Sequence, residues 1–138
     1  MRRKKLINVV FATIVFLTFM DAGCSDKNEV EGRYKDNIHL SKKNVDFNAK
    51  ASSDVITTKG EGWKFDVITD NDVRTDYSNE KEEIKDYSSD WITVTKADEK
   101  TIKFEVQENK TGKQRILYLA LFNWGYSDLI TVTQEKAE

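Results

Sequence analysis

The sequence predicts an all-β domain of about seven short strands, packed as two sheets or closed as a barrel, behind an N-terminal targeting segment. Three observations carry that prediction. Apolar and polar residues alternate with period two in one segment after another, glycine- and asparagine-bearing turns separate those segments, and no stretch sustains the 3.6-residue period of an amphipathic helix.

The N-terminus comes first in the chain and stands apart from that pattern. Arg2, Arg3, Lys4 and Lys5 form a cationic start, and Leu6 to Met20 then run almost without polar interruption, which is a signal peptide over residues 1–23. Its apolar core of about 15 residues falls short of the roughly 20 a helix needs to cross the hydrocarbon layer, so export and cleavage are favoured over a permanent span, with a signal anchor as the alternative. The only cysteine, Cys24, follows directly in the context Asp21-Ala22-Gly23-Cys24. Ala22-Gly23-Cys24 resembles the end of a bacterial lipobox, with Asp21 where that pattern prefers leucine. The resemblance implies that the Cys24 thiol is diacylated and becomes the first residue after cleavage. A lone cysteine can also be a buried or reactive thiol, but Cys24 lies outside any folded pattern. Residues 24–37 are polar and aperiodic, as a tether would be. Their opening, Ser25-Asp26-Lys27-Asn28-Glu29, is similar to the Ser-plus-acidic run of surface-exported lipoproteins of Bacteroidetes. The implied location is the cell envelope, as an outer-membrane lipoprotein exposed at the surface, with the lipid on Cys24 as the membrane contact.

Without residues 1–23 the chain keeps 18 Lys and Arg against 23 Asp and Glu, a net charge near −5. That balance argues against a nucleic-acid partner, which needs a basic footprint, and against adhesion to anionic lipid by charge alone. About 115 residues are enough for one domain with its own core, expected over 38–138. With one cysteine there is no internal disulfide, so packing must hold the fold.

Within the domain, Val45 and Phe47 alternate with Asp46 and Asn48, Val55 to Thr58 is rich in β-branched residues, and Trp63, Phe65 and Val67 alternate with Lys64 and Asp66. Four more strands are expected at Trp91 to Thr95, at Ile102 to Val106, at Arg115 to Phe122 and at Leu129 to Gln134. Gly60-Glu61-Gly62, Asn109-Lys110-Thr111-Gly112 and Asn123-Trp124-Gly125 supply turn chemistry between neighbours. Ile116 to Phe122 is apolar at both parities, which predicts a central strand buried on both sides; an outer face serving as a docking patch is the alternative. Asp70 to Ser89 is too hydrophilic for a core strand. It is expected to be a long surface excursion, with one turn of helix near Glu80 to Lys85.

Asp90-Trp91-Ile92-Thr93-Val94, then Ile102-Lys103-Phe104-Glu105-Val106, Glu108-Asn109, Arg115 and the closing Ile130-Thr131-Val132-Thr133-Gln134 together resemble the BACON domain, a Bacteroidetes-associated, often N-terminal module assigned to carbohydrate binding. The resemblance is specific over about Ser88 to Gln134 and looser over Leu40 to Val67, where Asn44 to Ala49 matches the opening strand. It implies an immunoglobulin-like β-sandwich of about 100 residues. Structural roles are expected for its matching positions: Trp91 between the sheets, Asn109 in a turn with positive φ, and Arg115 and Gln134 bonding backbone at strand ends.

No catalytic constellation is evident, and the domain is expected not to be an enzyme. His39 is the only histidine and has no serine or cysteine nucleophile motif around it. Carboxylates are plentiful, but a small sandwich rarely has the cleft a glycosidase needs. Asp70, Asn71, Asp72 and Asp76 lack the glycine and closing glutamate of a calcium loop, so no metal and no cofactor are expected. The candidate site is Asn123, Trp124, Tyr126 and Asp128. Turns are normally polar, so a tryptophan and a tyrosine flanking Gly125 are out of place. Aromatic faces stack on the C–H faces of sugars, and Asn123 and Asp128 are suited to bonding hydroxyls. Alternatively Trp124 folds over the end of the core, or Trp124 and Tyr126 meet a protein partner. The expected function is glycan binding, of host mucin or dietary glycan. The alternative is a structural spacer or interaction subunit among envelope proteins.

Overall fold

A computed structural model describes residues 35–138. The signal peptide, Cys24 and all but the last residues of the tether lie outside the described residues. Asp36–Glu138 form a compact unit made of nine strands: β1 (Asn44–Phe47), β2 (Ser52–Thr57), β3 (Lys64–Asp70), β4 (Val73–Asp76), β5 (Asp86–Ser88), β6 (Ile92–Asp98), β7 (Thr101–Val106), β8 (Arg115–Asn123) and β9 (Tyr126–Gln134). They build two sheets, a five-stranded one ordered β1-β9-β8-β3-β4 and a four-stranded one ordered β2-β7-β6-β5. All neighbours are antiparallel except β1 against β9. The trios β3-β8-β9 and β2-β7-β6 reproduce the C-F-G and B-E-D arrangements of an immunoglobulin-like sandwich. The expected fold class is therefore present, as two sheets and not a barrel.

The two strands beyond the expected seven both come from the Asp70–Ser89 excursion. β4 and β5 are short edge strands, one in each sheet, and an edge strand with mostly exposed side chains shows no apolar alternation to read. No helical turn forms over 80–85. Instead the excursion is pinned by Glu83, which accepts from the buried Lys96 ammonium at 2.7 Å. Lys96 also donates to the Trp63 carbonyl at 2.8 Å and lies 4.3 Å from the Trp63 ring centroid, so its charge has both an acceptor and an aromatic face.

The core lies between the sheets and follows the alternation. Leu117, Leu119 and Leu121 of β8 face Ile102, Phe104 and Val106 of β7, with Trp63, Phe65 and Trp91 as the largest buried side chains. Each fully buried aliphatic of this kind contributes about 1.5–3 kcal/mol. Trp91 fills the space between the sheets as expected, and its Nε1 donates to Asp70 Oδ1 at 2.7 Å. The other oxygen of Asp70 accepts from Tyr87 at 2.8 Å, so this one carboxylate ties β3 to the elements entering and forming the opposite sheet. Burial first, then the Asp70 carboxylate, hold the Tyr87 phenol well above its ordinary pKa.

Polar residues secure the strand ends. Asn109 is buried, donates to the carbonyls of Lys113 and Glu135, and accepts from Thr111 N and Oγ1. It thus organises its turn through its side chain, without the positive φ expected of it. Gln134 bonds the Gln107 carbonyl at 2.8 Å. Arg115 reaches the Gln134 side chain, not backbone, at 3.3 Å. Gly60 lets the incoming chain lie close: a Cβ there would stand 1.9 Å from the Asn37 carbonyl oxygen. His39 is exposed.

Candidate binding site

β8 and β9 are joined by a two-residue turn, Trp124-Gly125, with Asn123 paired to Tyr126. Both turn residues have positive φ, 44° and 78°, the signature of the type I′ turn whose twist suits a hairpin. Glycine adopts such angles freely, whereas a bulky side chain there is a steric outlier. Trp124 is nevertheless in that position, and it is 89% exposed. It does not fold over the core.

The pairing also decides where the other three candidate residues go. Side chains alternate across a strand, so Asn123, Tyr126 and Asp128 share the inward parity of Leu121 and Ile130. Asn123 is buried, donating to the carbonyls of Glu61 at 3.0 Å and Asn37 at 3.4 Å, and its own carbonyl accepts from Asn37 at 2.8 Å. Tyr126 packs against the core and donates to Asp128 at 3.2 Å. The Asp128 side chain is only 7% exposed and pairs with Lys43 at 3.1 Å. Of the four candidates, Trp124 alone is presented to solvent. The Asn123 amide nitrogen and the Asp128 carboxylate are engaged with the protein's own groups.

The local electrostatics fit that division. Burial raises the Tyr126 phenol above its ordinary pKa, and the Asp128 and Asp36 charges add to it. The hydrogen bond to Asp128 raises the Lys43 ammonium in turn.

What surrounds Trp124 comes from elsewhere. A shallow depression of about 390 Å³ beside it is lined by Gly62, Lys64, Phe122 and Gly125. Phe122 has the outward parity of β8, together with Ala120 and Tyr118. Val67, Ala120 and Leu129 lie side by side across β3, β8 and β9, with Leu129 46% and Tyr118 41% exposed. β8 is therefore central in its sheet, as expected, but among the described residues no further layer covers its second face, where Tyr118 is exposed and Ile116, Ala120 and Phe122 are half-buried. The apolar character of Ile116 to Phe122 reflects a sticky outer face and not a doubly buried strand. Lys64 is no part of the expected site, whereas Phe122 opens the aromatic turn segment and alternation from Leu119 and Leu121 assigns it to the outside.

The described unit is thus an immunoglobulin-like β-sandwich with an aromatic at one hairpin tip, continuous with an apolar sheet face. Residues 78–135 match the family described as "BACON: Putative binding domain, N-terminal", so the resemblance expected from the sequence holds over β5 to β9, starting ten residues before Ser88. Among solved structures, a protein from Bacteroides thetaiotaomicron determined by NMR is similar, with a TM-score of 0.63 at 14% identity over 76% of this chain and 92% of that one. An endo-fucoidan hydrolase of glycoside hydrolase family 107 aligns with a TM-score of 0.43 at 12% identity, over 74% of this chain but 14% of the hydrolase. No curated protein matches the chain.

Proposed function

We propose that the chain is a non-catalytic binding domain of the cell envelope, lipid-anchored through Cys24 at the outer-membrane surface, which contacts glycans through Trp124. The observation that carries this reading is the exposed tryptophan held in a left-handed turn position. An indole there gains nothing from the core and occupies a conformation that asparagine or glycine would adopt more cheaply, and such local conflicts concentrate at functional sites. A flat aromatic beside a shallow depression that Lys64 also lines suits the face and hydroxyls of a sugar ring.

The test is a glycan-array and mucin screen on Asp36–Glu138, the unit that contains the core described above. Trp124→Ala is expected to weaken any hit about tenfold or more, the loss typical of a central aromatic anchor, while the folded spectrum is retained. Undiminished binding by the folded variant would remove Trp124 from the site.

A second reading draws on a separate observation, the open apolar face of Val67, Tyr118, Ala120, Phe122 and Leu129. It makes the domain an interaction subunit among envelope proteins. A negative screen with well-folded protein would favour it.

A further inference from the structure

At the end of the five-stranded sheet opposite Trp124, where β8 begins, a cleft of about 600 Å³ opens between the β3–β4 turn, Asp90 and the segment leading into Arg115. That volume falls within the roughly 300–1,000 Å³ of small-molecule sites. Arg115 is oriented by two contacts. Its guanidinium carbon lies 5.8 Å from the Trp91 ring centroid, and its Nη1 donates to Gln134 Oε1 at 3.3 Å. Neither contact neutralises it. Among the described residues neither Arg115 nor Lys113, which also lines the cleft, forms an ion pair, and the same holds for Asp72 and Asp90 in that lining.

A guanidinium presents a rigid fork of donors that matches a carboxylate. One that is fixed in a concave site with most of those donors unassigned, and with an ammonium alongside, is arranged for an anionic group. Asp72 and Asp90 restrict what else the ligand can be. They repel a molecule that carries only negative charge, and they accept hydrogen bonds from hydroxyls. Tyr118, 41% exposed, adds an aromatic wall. One acid, several hydroxyls and a ring with an apolar face describe an acidic sugar.

We propose that this cleft binds a uronic acid unit of a saccharide, its carboxylate on Arg115 and Lys113, its hydroxyls on Asp72 and Asp90, and its ring against Tyr118. The inference goes beyond the reading given above, because it uses no residue of the Trp124 tip.

The experiment is an NMR titration of ¹⁵N-labelled Asp36–Glu138 with trigalacturonate, with its carboxyl-reduced counterpart and with acetate. Trigalacturonate is expected to give saturable shifts at residues 71, 72, 90 and 111–118, with an affinity at least about tenfold above the reduced sugar, as loss of a charge-assisted fork predicts. Acetate should bind far more weakly. Arg115→Gln should abolish saturation. Should that variant fail to fold, Lys113→Gln, at an exposed position, should still weaken binding several-fold. Equal binding of the acidic and reduced sugars, acetate binding as tight as the saccharide, or shifts absent from the cleft would each overturn the proposal.

Discussion

Two hairpin turns of the same sheet have nearly the same backbone and opposite side-chain logic. The β3–β4 turn, Asn71-Asp72, has φ of 44° and 72°, and the β8–β9 turn, Trp124-Gly125, has φ of 44° and 78°. Asn71 is a residue type that tolerates the left-handed region. It also works locally, its Oδ1 accepting from the Ile116 amide at 3.0 Å and its own amide donating to the Ile116 carbonyl at 2.9 Å. Trp124 occupies the equivalent position with neither advantage. Where one turn satisfies its local preference and ties itself to a neighbouring strand, the other sets an indole in solvent against that preference. The first turn is explained by folding. The second calls for a ligand or partner to explain it.

Substitution at the two positions should have opposite signs. Asn71→Val puts a β-branched residue into the left-handed region and removes the bond to Ile116, at a cost of about 2 kcal/mol. For a domain of this size that lowers Tm by roughly 10 °C, as differential scanning calorimetry would read. A Tm within a degree or two of the parent would mean the turn relaxes, and the contrast would lose its first half. Trp124→Asn is expected to raise stability by about 1 kcal/mol, or roughly 5 °C in Tm, by relieving the strained position. The same variant should lose glycan contact, the pattern of a residue kept for function at the expense of stability. A destabilised Trp124→Asn would show that the indole packs in solution, and the functional reading of the tip would fall with it.

The two turns also show how far the sequence can be read. Asn123-Trp124-Gly125 announced a turn, and its misplaced aromatic was visible there. What could not be read from composition was which neighbours stand with Trp124, because Asn123, Tyr126 and Asp128 seem available in a linear listing of polar and aromatic residues. Once a two-residue loop pairs Asn123 with Tyr126, alternation sends all three inward, where the Asn37 and Glu61 carbonyls accept from the Asn123 amide and Lys43 pairs with Asp128. The core strands were legible because one-sided burial writes itself as period two. β4 and β5 were not, because edge strands with exposed side chains carry no such record, and their existence depends on the partners β3 and β6. The apolar run of β8 shows the converse: a residue's hydrophobicity states that its face is sticky, not that the fold covers it. The cleft at Arg115 brings together residues as distant as Asp72 and Arg115, a juxtaposition that only the sheet topology supplies.

The supports of the two hairpins should yield at opposite ends of the pH scale, with smaller effects than either substitution. Near the β3–β4 turn, Asp76 accepts from Ser78 Oγ at 2.6 Å and Ser78 N at 2.8 Å, and these bonds, with Arg74 nearby, hold its carboxyl below the ordinary value. A lowered folded pKa means that its contribution is present above the unfolded value of about 3.9 and is lost as pH falls through the folded one. Beside the β8–β9 turn, Lys43 is raised by its bond to Asp128 and Tyr126 by burial. Their contributions are present below about 10 and are lost as pH rises through the folded values. Side-chain ¹³C shifts followed against pH should therefore give Asp76 a midpoint below that of a free aspartate, and Tyr126 a midpoint above that of a free tyrosine. An ordinary midpoint at Tyr126 would mean that its ring is not held against the core. The inward assignment that leaves Trp124 as the one presented residue of the hairpin would then have to be withdrawn.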